Sequence, residues 1–215
     1  IEVIEGCSYH CTPNSPVCPS CKQKTKHKIM KLKGIKRFIR IQGSPDLTIE
    51  DLLGDIDPIK ALKFGPLSLE AFTLGKVFKS NNGILFFDEL NRCPEKLQNA
   101  LLQVLEEGKA TIGSYDVDFD VNFIFIGTMN PEDASTERLS DVLLDRFDII
   151  YMDYPESIDI EKRIVVMKGK KITNVSDELL NLMVHFIRLL RQDEKLEKKP
   201  SVRASIGLYE RSQSN

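Results

Sequence analysis

The sequence predicts an α/β fold: a three-layer arrangement of parallel strands with flanking helices, followed by a small all-α domain. Three observations predict it. Two continuous apolar runs, Ile84-Leu85-Phe86-Phe87 and Phe123-Ile124-Phe125-Ile126, have the pattern of strands buried on both faces of a parallel sheet. Between them Leu97, Leu101, Leu102 and Leu105 recur at the three- and four-residue spacing of a helix. After Tyr154-Pro155 only helical periodicity remains. The expected division is an α/β core over residues 1–154, with a cysteine-rich and basic insertion at 6–42, and a helical lid over 155–215.

Composition bounds the rest. The 215 residues are 41% hydrophobic, enough for one sizeable core and a small satellite. A formal charge of -2 leaves no global basic field, which argues against nucleic acid or an anionic membrane as partner. Apolar runs fall far short of the roughly 20 residues that span a bilayer. The opening Ile1-Glu2-Val3-Ile4-Glu5 has neither a basic nor an apolar leader region. The expectation is a soluble cytoplasmic chain trimmed at both ends.

Taken in order, the first element is a cysteine cluster, Cys7-x3-Cys11-x6-Cys18-x2-Cys21, with prolines at 13, 16 and 19 forcing turns between the sulfurs. In a reducing compartment such crowding holds a metal more often than disulfides, and structural zinc leads. His10 could replace Cys11 as a ligand. Residues 22–40 carry Lys and Arg and no acid. Lys31-Leu32-Lys33 and Arg37-Phe38-Ile39-Arg40-Ile41 alternate as a half-exposed strand or hairpin would, and no aromatic series accompanies the charges for stacking bases.

The first buried strand ends abruptly in Asp88-Glu89. Carboxylates at the carboxyl end of a parallel strand lie where such sheets bind ligands, and they suit a magnesium–nucleotide site. Asp88 would hold the ion and Glu89 would activate water. A strand running into an acidic helix start would look the same and carry no chemistry. Pro94 opens the next helix and Gly108 stops it. Residues 110–119 read as two short strands around a Gly-Ser turn. The second buried strand ends in Thr128-Met129-Asn130-Pro131, which would set the Asn130 amide beside the carboxylates. In the tail, Met183, Phe186, Ile187 and Leu190 make an apolar stripe, and His185 on the same helix reads as an ordinary histidine rather than a ligand.

These segments resemble a known family. Gly83-Ile84-Leu85-Phe86-Phe87-Asp88-Glu89-Leu90-Asn91 is similar to the Walker B segment of AAA+ ATPases of the magnesium-chelatase and MoxR type. Residues 50–57 and 75–82 resemble the stretch before it, Gly127-Thr128-Met129-Asn130-Pro131-Glu132-Asp133 resembles sensor 1, and Leu143-Leu144-Asp145-Arg146-Phe147-Asp148 resembles the arginine-finger segment. The blocks keep the family's order over residues 43–165. The resemblance implies ATP and Mg2+ as cofactors, Asn130 positioning water, and Arg146 reaching a neighbouring subunit's site, with Arg138 and Arg163 as weaker fingers. It implies a homo-oligomeric ring, a hexamer in the family, and a partner with a von Willebrand factor A domain. Pro200-Ser201-Val202-Arg203-Ala204-Ser205 resembles sensor 2, so Arg203 would contact the γ-phosphate.

One departure matters. No Gly-x4-Gly-Lys-Ser/Thr occurs in the sequence, so nothing here supplies the backbone cradle for phosphates. The expected fold is therefore the AAA+ sheet without its P-loop unit, and the expected activity of the chain alone is weak ATP binding and negligible hydrolysis. A non-hydrolysing ring subunit that offers Arg146 in trans is the alternative, as is a zinc-containing adaptor.

Overall fold

A computed structural model describes residues 1–65, 71–111, 118–130 and 139–213. The chain forms two compact units, Ile1–Asp148 and Ile149–Asn215.

In the first unit β1 (Glu2–Ile4) carries the chain into the cysteine loop, which contains the one-turn helix α1 (Pro19–Lys22) and returns through β2 (Ile29–Lys31). β2 pairs antiparallel with β1, so this two-stranded ribbon closes the loop at its base. Then follow β3 (Phe38–Gln42), α2 (Ile49–Leu53), β4 (Gly54–Ile56), α3 (Pro58–Phe64), β5 (Phe72–Leu74), α4 (Lys76–Lys79) and β6 (Gly83–Asp88). Thr48 and Asp51 form a reciprocal capping box at α2, and Asp57 caps α3 with Pro58 at its first position. α5 (Glu95–Glu107) begins after Pro94 and ends at Gly108, whose φ of 62° gives the left-handed stop. β7 (Lys109–Thr111) and β8 (Asp118–Asp120) pair antiparallel; the Gly-Ser turn expected between them lies outside the described residues. β9 (Phe123–Gly127) and α6 (Asp141–Leu144) complete the unit.

The sheet that positions the site is parallel, in the order β3-β6-β9. Its register fixes two faces. Ile39 and Ile41 align with Leu85 and Phe87, and Leu85 with Phe125, and this face packs on Leu52, Phe78, Leu97, Leu101 and Leu143 of the helices. Phe38, Ile84 and Ile124 share the other face with Arg40, Phe86 and Ile126. There Ile124 is 63% and Phe38 44% exposed.

Three expectations need correction. The second apolar run is not buried on both faces, because β9 pairs only with β6 among the described strands and its alternate residues face outward. Of the half-exposed strand and the hairpin expected at residues 31–33 and 37–41, the strand forms and the hairpin does not: β2 turns back to β1, while β3 joins the parallel sheet, so residues 38–42 of the expected insertion lie in a sheet strand. An alternating pattern suits any strand with one open face, whichever direction its partner runs.

The second unit is a three-helix cluster of α7 (Ile158–Lys168), α8 (Asp177–Gln192) and α9 (Val202–Ser212), each capped by a serine, Ser157, Ser176 and Ser201. Here the third correction falls. The buried side of α8 is Leu180, Met183, Val184, Ile187 and Arg191, whereas Phe186 is 52% exposed, one helical step off that side. His185 is exposed.

Candidate functional site

The pleat that sends Leu85 and Phe87 into the core leaves Asp88 on the open side at the strand's carboxyl end. Glu89 then takes a left-handed conformation, φ 56° and ψ 50°, which breaks the strand and starts a single 3-10 turn at Leu90–Arg92. A non-glycine residue held there stores roughly 1–3 kcal/mol of strain that its surroundings must impose. They do so through backbone contacts. The Gly43 amide donates to the Asp88 carbonyl at 2.6 Å, and the Leu90 amide to the Thr128 carbonyl at 2.9 Å. A Cβ on Gly43 would stand 2.0 Å from the Glu89 carbonyl oxygen, so only glycine permits the approach.

β9 ends beside these carboxylates, and the Thr128 hydroxyl donates to Asp88 Oδ1 at 2.7 Å while accepting from the Glu89 amide at 3.2 Å. Asn130 follows, its carbonyl taking a hydrogen bond from Asn91 Nδ2 at 3.1 Å. The edge strand β3 contributes side chains that sequence reasoning missed. Arg40 pairs with Asp88, and Gln42 Nε2 donates to Glu89 Oε2 at 2.8 Å. Arg92 sits 3.3 Å from the same Glu89 oxygen. The signal available beforehand was positional: Arg40 and Gln42 close an alternating strand on its polar side.

The remaining expected residues are dispersed. Arg146 pairs with Glu106 on α5, Nε to Oε1 at 2.8 Å, rather than with its neighbours Asp145 or Asp148. Such an exposed pair contributes roughly 0–1 kcal/mol and exchanges readily. Arg203 is exposed in the first turn of α9, and Arg163 is exposed on α7, both in the second unit. Arg138, and the Pro131-Glu132-Asp133 end of the sensor-like segment, lie outside the described residues.

A second cluster gathers the four cysteines. The sulfurs of Cys7, Cys11, Cys18 and Cys21 all lie within 4.8 Å of one another, with Cys7 and Cys18 at 3.8 Å. No disulfide joins them, three are buried, and His10 is outside the group. The amides of Val17 and Cys18 both donate to the Cys11 sulfur at 3.3 Å. The Cys7 thiol is pulled down to about 4, mainly by the hydrogen bond from Cys11, with burial opposing. Cys11 is pushed up by that same bond and by burial, and burial with its thiol neighbours raises Cys21 to about 12. Four converging sulfurs make a donor set that suits a soft cation.

A third cluster, in the second unit, was not anticipated. Glu161 is fully buried and bidentately bound by Arg191 at 2.6 and 2.7 Å, with Ser205 Oγ donating at 2.6 Å and Arg188 at 3.4 Å. Burial raises its pKa, but the Arg191 and Ser205 hydrogen bonds and the Arg191 charge outweigh that and hold it below the ordinary 4.5. Its position was readable, because Glu161 falls on the inward stripe between Ile158 and Val165.

Residues 18–149 match the description of the ATPase family associated with various cellular activities (AAA). A magnesium-chelatase subunit ChlI homolog of Methanocaldococcus jannaschii is 33% identical over 181 residues, covering 83% of this chain and 47% of that protein. The magnesium-chelatase 38 kDa subunit of Acidiphilium rubrum is 28% identical over 175 residues, 79% of this chain and 48% of its own. The chain thus spans about half the length of these curated relatives. Among solved structures, a model of the complex between subunits BchI and BchD of magnesium chelatase superposes with a TM-score of 0.53 at 22% identity, over 85% of this chain and 53% of that one, a likeness of fold. A parallel sheet that brings Asp88-Glu89 beside Thr128, and a family match across more than half of the sequence, lead to one conclusion: the chain, which is similar to magnesium-chelatase subunits, belongs to the AAA ATPase family.

Proposed function

We propose that the chain carries the magnesium-holding, water-activating and lid portions of an ATP-driven remodelling or metal-insertion motor of the magnesium-chelatase and MoxR type. The observation that carries the reading is the junction of β6 and β9, where Asp88, Glu89 and Thr128 converge. The fit to magnesium–ATP is half complete. Two half-buried carboxylates with a hydroxyl beside them suit a hydrated magnesium ion, which would supply charge neutralisation on the phosphates when bound. No loop in the sequence cradles phosphates, and sequence beyond these 215 residues would have to provide it.

The chain's own groups then divide the work. Asp88, now paired with Arg40, would hold the ion. Glu89 releases Gln42 and accepts a proton from the attacking water, which its carboxylate can do once within hydrogen-bond reach. Asn130 orients that water, and Arg146 leaves Glu106 to stabilise phosphoryl charge in a neighbouring subunit, so assembly into a homo-oligomeric ring of six is part of catalysis. Arg203, in the helical lid portion assigned to residues 155–215, would contact the γ-phosphate. Cys7, Cys11, Cys18 and Cys21 hold structural zinc, and a von Willebrand factor A-domain protein is the partner. The site of action is the cytoplasm; no described helix is long and apolar enough to cross a membrane.

ATP turnover of the full-length gene product tests this, beside Glu89→Gln and beside this chain, at rising protein concentration. Cooperative turnover is expected only in the full-length protein, with Glu89→Gln reducing it at least about 100-fold. Equal inactivity of the full-length protein would replace the motor by a non-hydrolysing ring subunit, the reading that a phosphate loop absent from the full-length gene product would favour.

A further inference from the structure

The cysteine loop does not hang free from its ribbon. Tyr9 and His10, between Cys7 and Cys11, present their carbonyls to the turn that precedes β6: Asn81 Nδ2 donates to the Tyr9 carbonyl at 2.8 Å and Asn82 Nδ2 to the His10 carbonyl at 3.0 Å. The Tyr9 ring stands edge-on to Phe78, at 5.7 Å between centroids, and Phe78 is fully buried in the sheet's core. The same two asparagines also grip the residue before β9. Asn81 Oδ1 accepts from the Asn122 amide at 2.9 Å, and the Asn82 amide donates to the Asn122 carbonyl at 2.6 Å. One turn therefore holds the cysteine loop on one side and the starts of both site-bearing strands on the other.

The loop needs something to hold its shape. Its buried residues are Ile4, Cys11, Cys18 and Cys21, with Cys7, Tyr9 and Val17 partly buried around them. So small an apolar cluster does not offset the entropy of ordering the loop. His10 is moreover left-handed, with φ 50°. The sulfur spacing indicates what supplies the missing energy. Zinc–sulfur bonds of about 2.3 Å in a tetrahedron place sulfurs about 3.8 Å apart, and Cys7 and Cys18 stand at 3.8 Å. An iron–sulfur cluster, with several irons between its thiolates, would need them farther apart. The amide donors to Cys11 are the outer-shell contacts that a metal-bound thiolate takes.

We infer that one zinc-class divalent ion on Cys7, Cys11, Cys18 and Cys21 clamps the Tyr9–His10 carbonyls onto Asn81 and Asn82, and thereby couples metal loading to the order of β6 and β9. This rests on the zinc reading above and adds a consequence for the strands that carry Asp88, Glu89 and Thr128. Metal lost to chelation, or thiols lost to oxidation, would loosen the ATPase sheet from its amino-terminal edge.

The test uses this chain purified under reducing conditions. Metal content is measured first, then backbone hydrogen exchange with and without a chelator, in the parent and in Asn81→Ala. One zinc per chain is expected. Chelation should speed exchange in β6 and β9 by roughly tenfold while α7–α9 change little. Asn81→Ala should keep its zinc yet exchange fast in β6 and β9 whether or not chelator is present. A chain that takes up no metal, from its host or from added zinc alone, overturns the zinc reading itself. Bound zinc whose removal speeds exchange only within residues 5–28 leaves that reading standing and overturns the coupling. Equal loss of protection in α7–α9 also overturns it, because the effect would then be general unfolding. The parent measurement decides even if Asn81→Ala fails to fold.

Discussion

Two arginine–carboxylate clusters in this molecule have similar chemistry and opposite character. At the end of β6, Asp88 pairs with Arg40 and Glu89 with Gln42 and Arg92, all on side chains that solvent reaches. In the helical unit, Glu161 has no exposed surface and Arg191 almost none, and both carboxylate oxygens are engaged. Water decides the difference. Exposed pairs are screened and exchangeable, so the first cluster can trade a guanidinium for a metal ion at little cost. Buried charges keep their partners because separation would strand one in a low dielectric, so the second cluster can serve only to fix three helices. Arg191 extends that network by donating to the Pro200 carbonyl and lying over the Tyr154 ring.

The contrast can be broken from its strong end. Glu161→Ala should destabilise the helical unit by roughly 3–5 kcal/mol, because Arg191 is left buried and unpaired; urea unfolding followed on the helical signal measures it. The sign of the pH effect follows from the lowered pKa. The contribution is complete above the ordinary carboxylate value and is lost as pH falls through the depressed folded-state value, so melts between neutral and acid pH should lose this unit's stability only at the acid end. At the exposed cluster a backbone change matters more than a charge. Gly43→Ala should cost about 1–3 kcal/mol by pushing β3 away from Glu89, read as faster exchange at the Glu89 and Leu90 amides. Arg40→Ala should be the smallest effect, within about 1 kcal/mol on stability, while magnesium binding measured by calorimetry tightens. A loss of several kcal/mol there would show that the exposed pair is structural after all.

How far the sequence discloses all this depends on what kind of physics each feature uses. β6 and α5 are legible because local signals agree: an apolar run ending in acids, then a proline, a helical stripe and a glycine stop. The cysteine cluster is legible from spacing alone. β9 misleads because an apolar run records hydrophobicity and not neighbours, and whether a strand is central or at an edge is settled by pairings far along the chain. The Arg146–Glu106 and Gln42–Glu89 contacts join residues some 40 or more positions apart, a separation no local pattern encodes. Phe186 shows the resolution of a helical stripe, since one residue's rotation of about 100° moves a side chain from core to solvent.

Gly43 also bears on inheritance. Its hydrogen atom occupies the only room between β3 and the Glu89 carbonyl, where even a methyl would approach to 2.0 Å. Any missense change of a glycine codon installs a Cβ at least, and an alanine is the mildest of them. A lineage that keeps the Asp88-Glu89 turn in this form therefore has no neutral single-residue step open at position 43, and escape from it requires β3 and the turn to shift together.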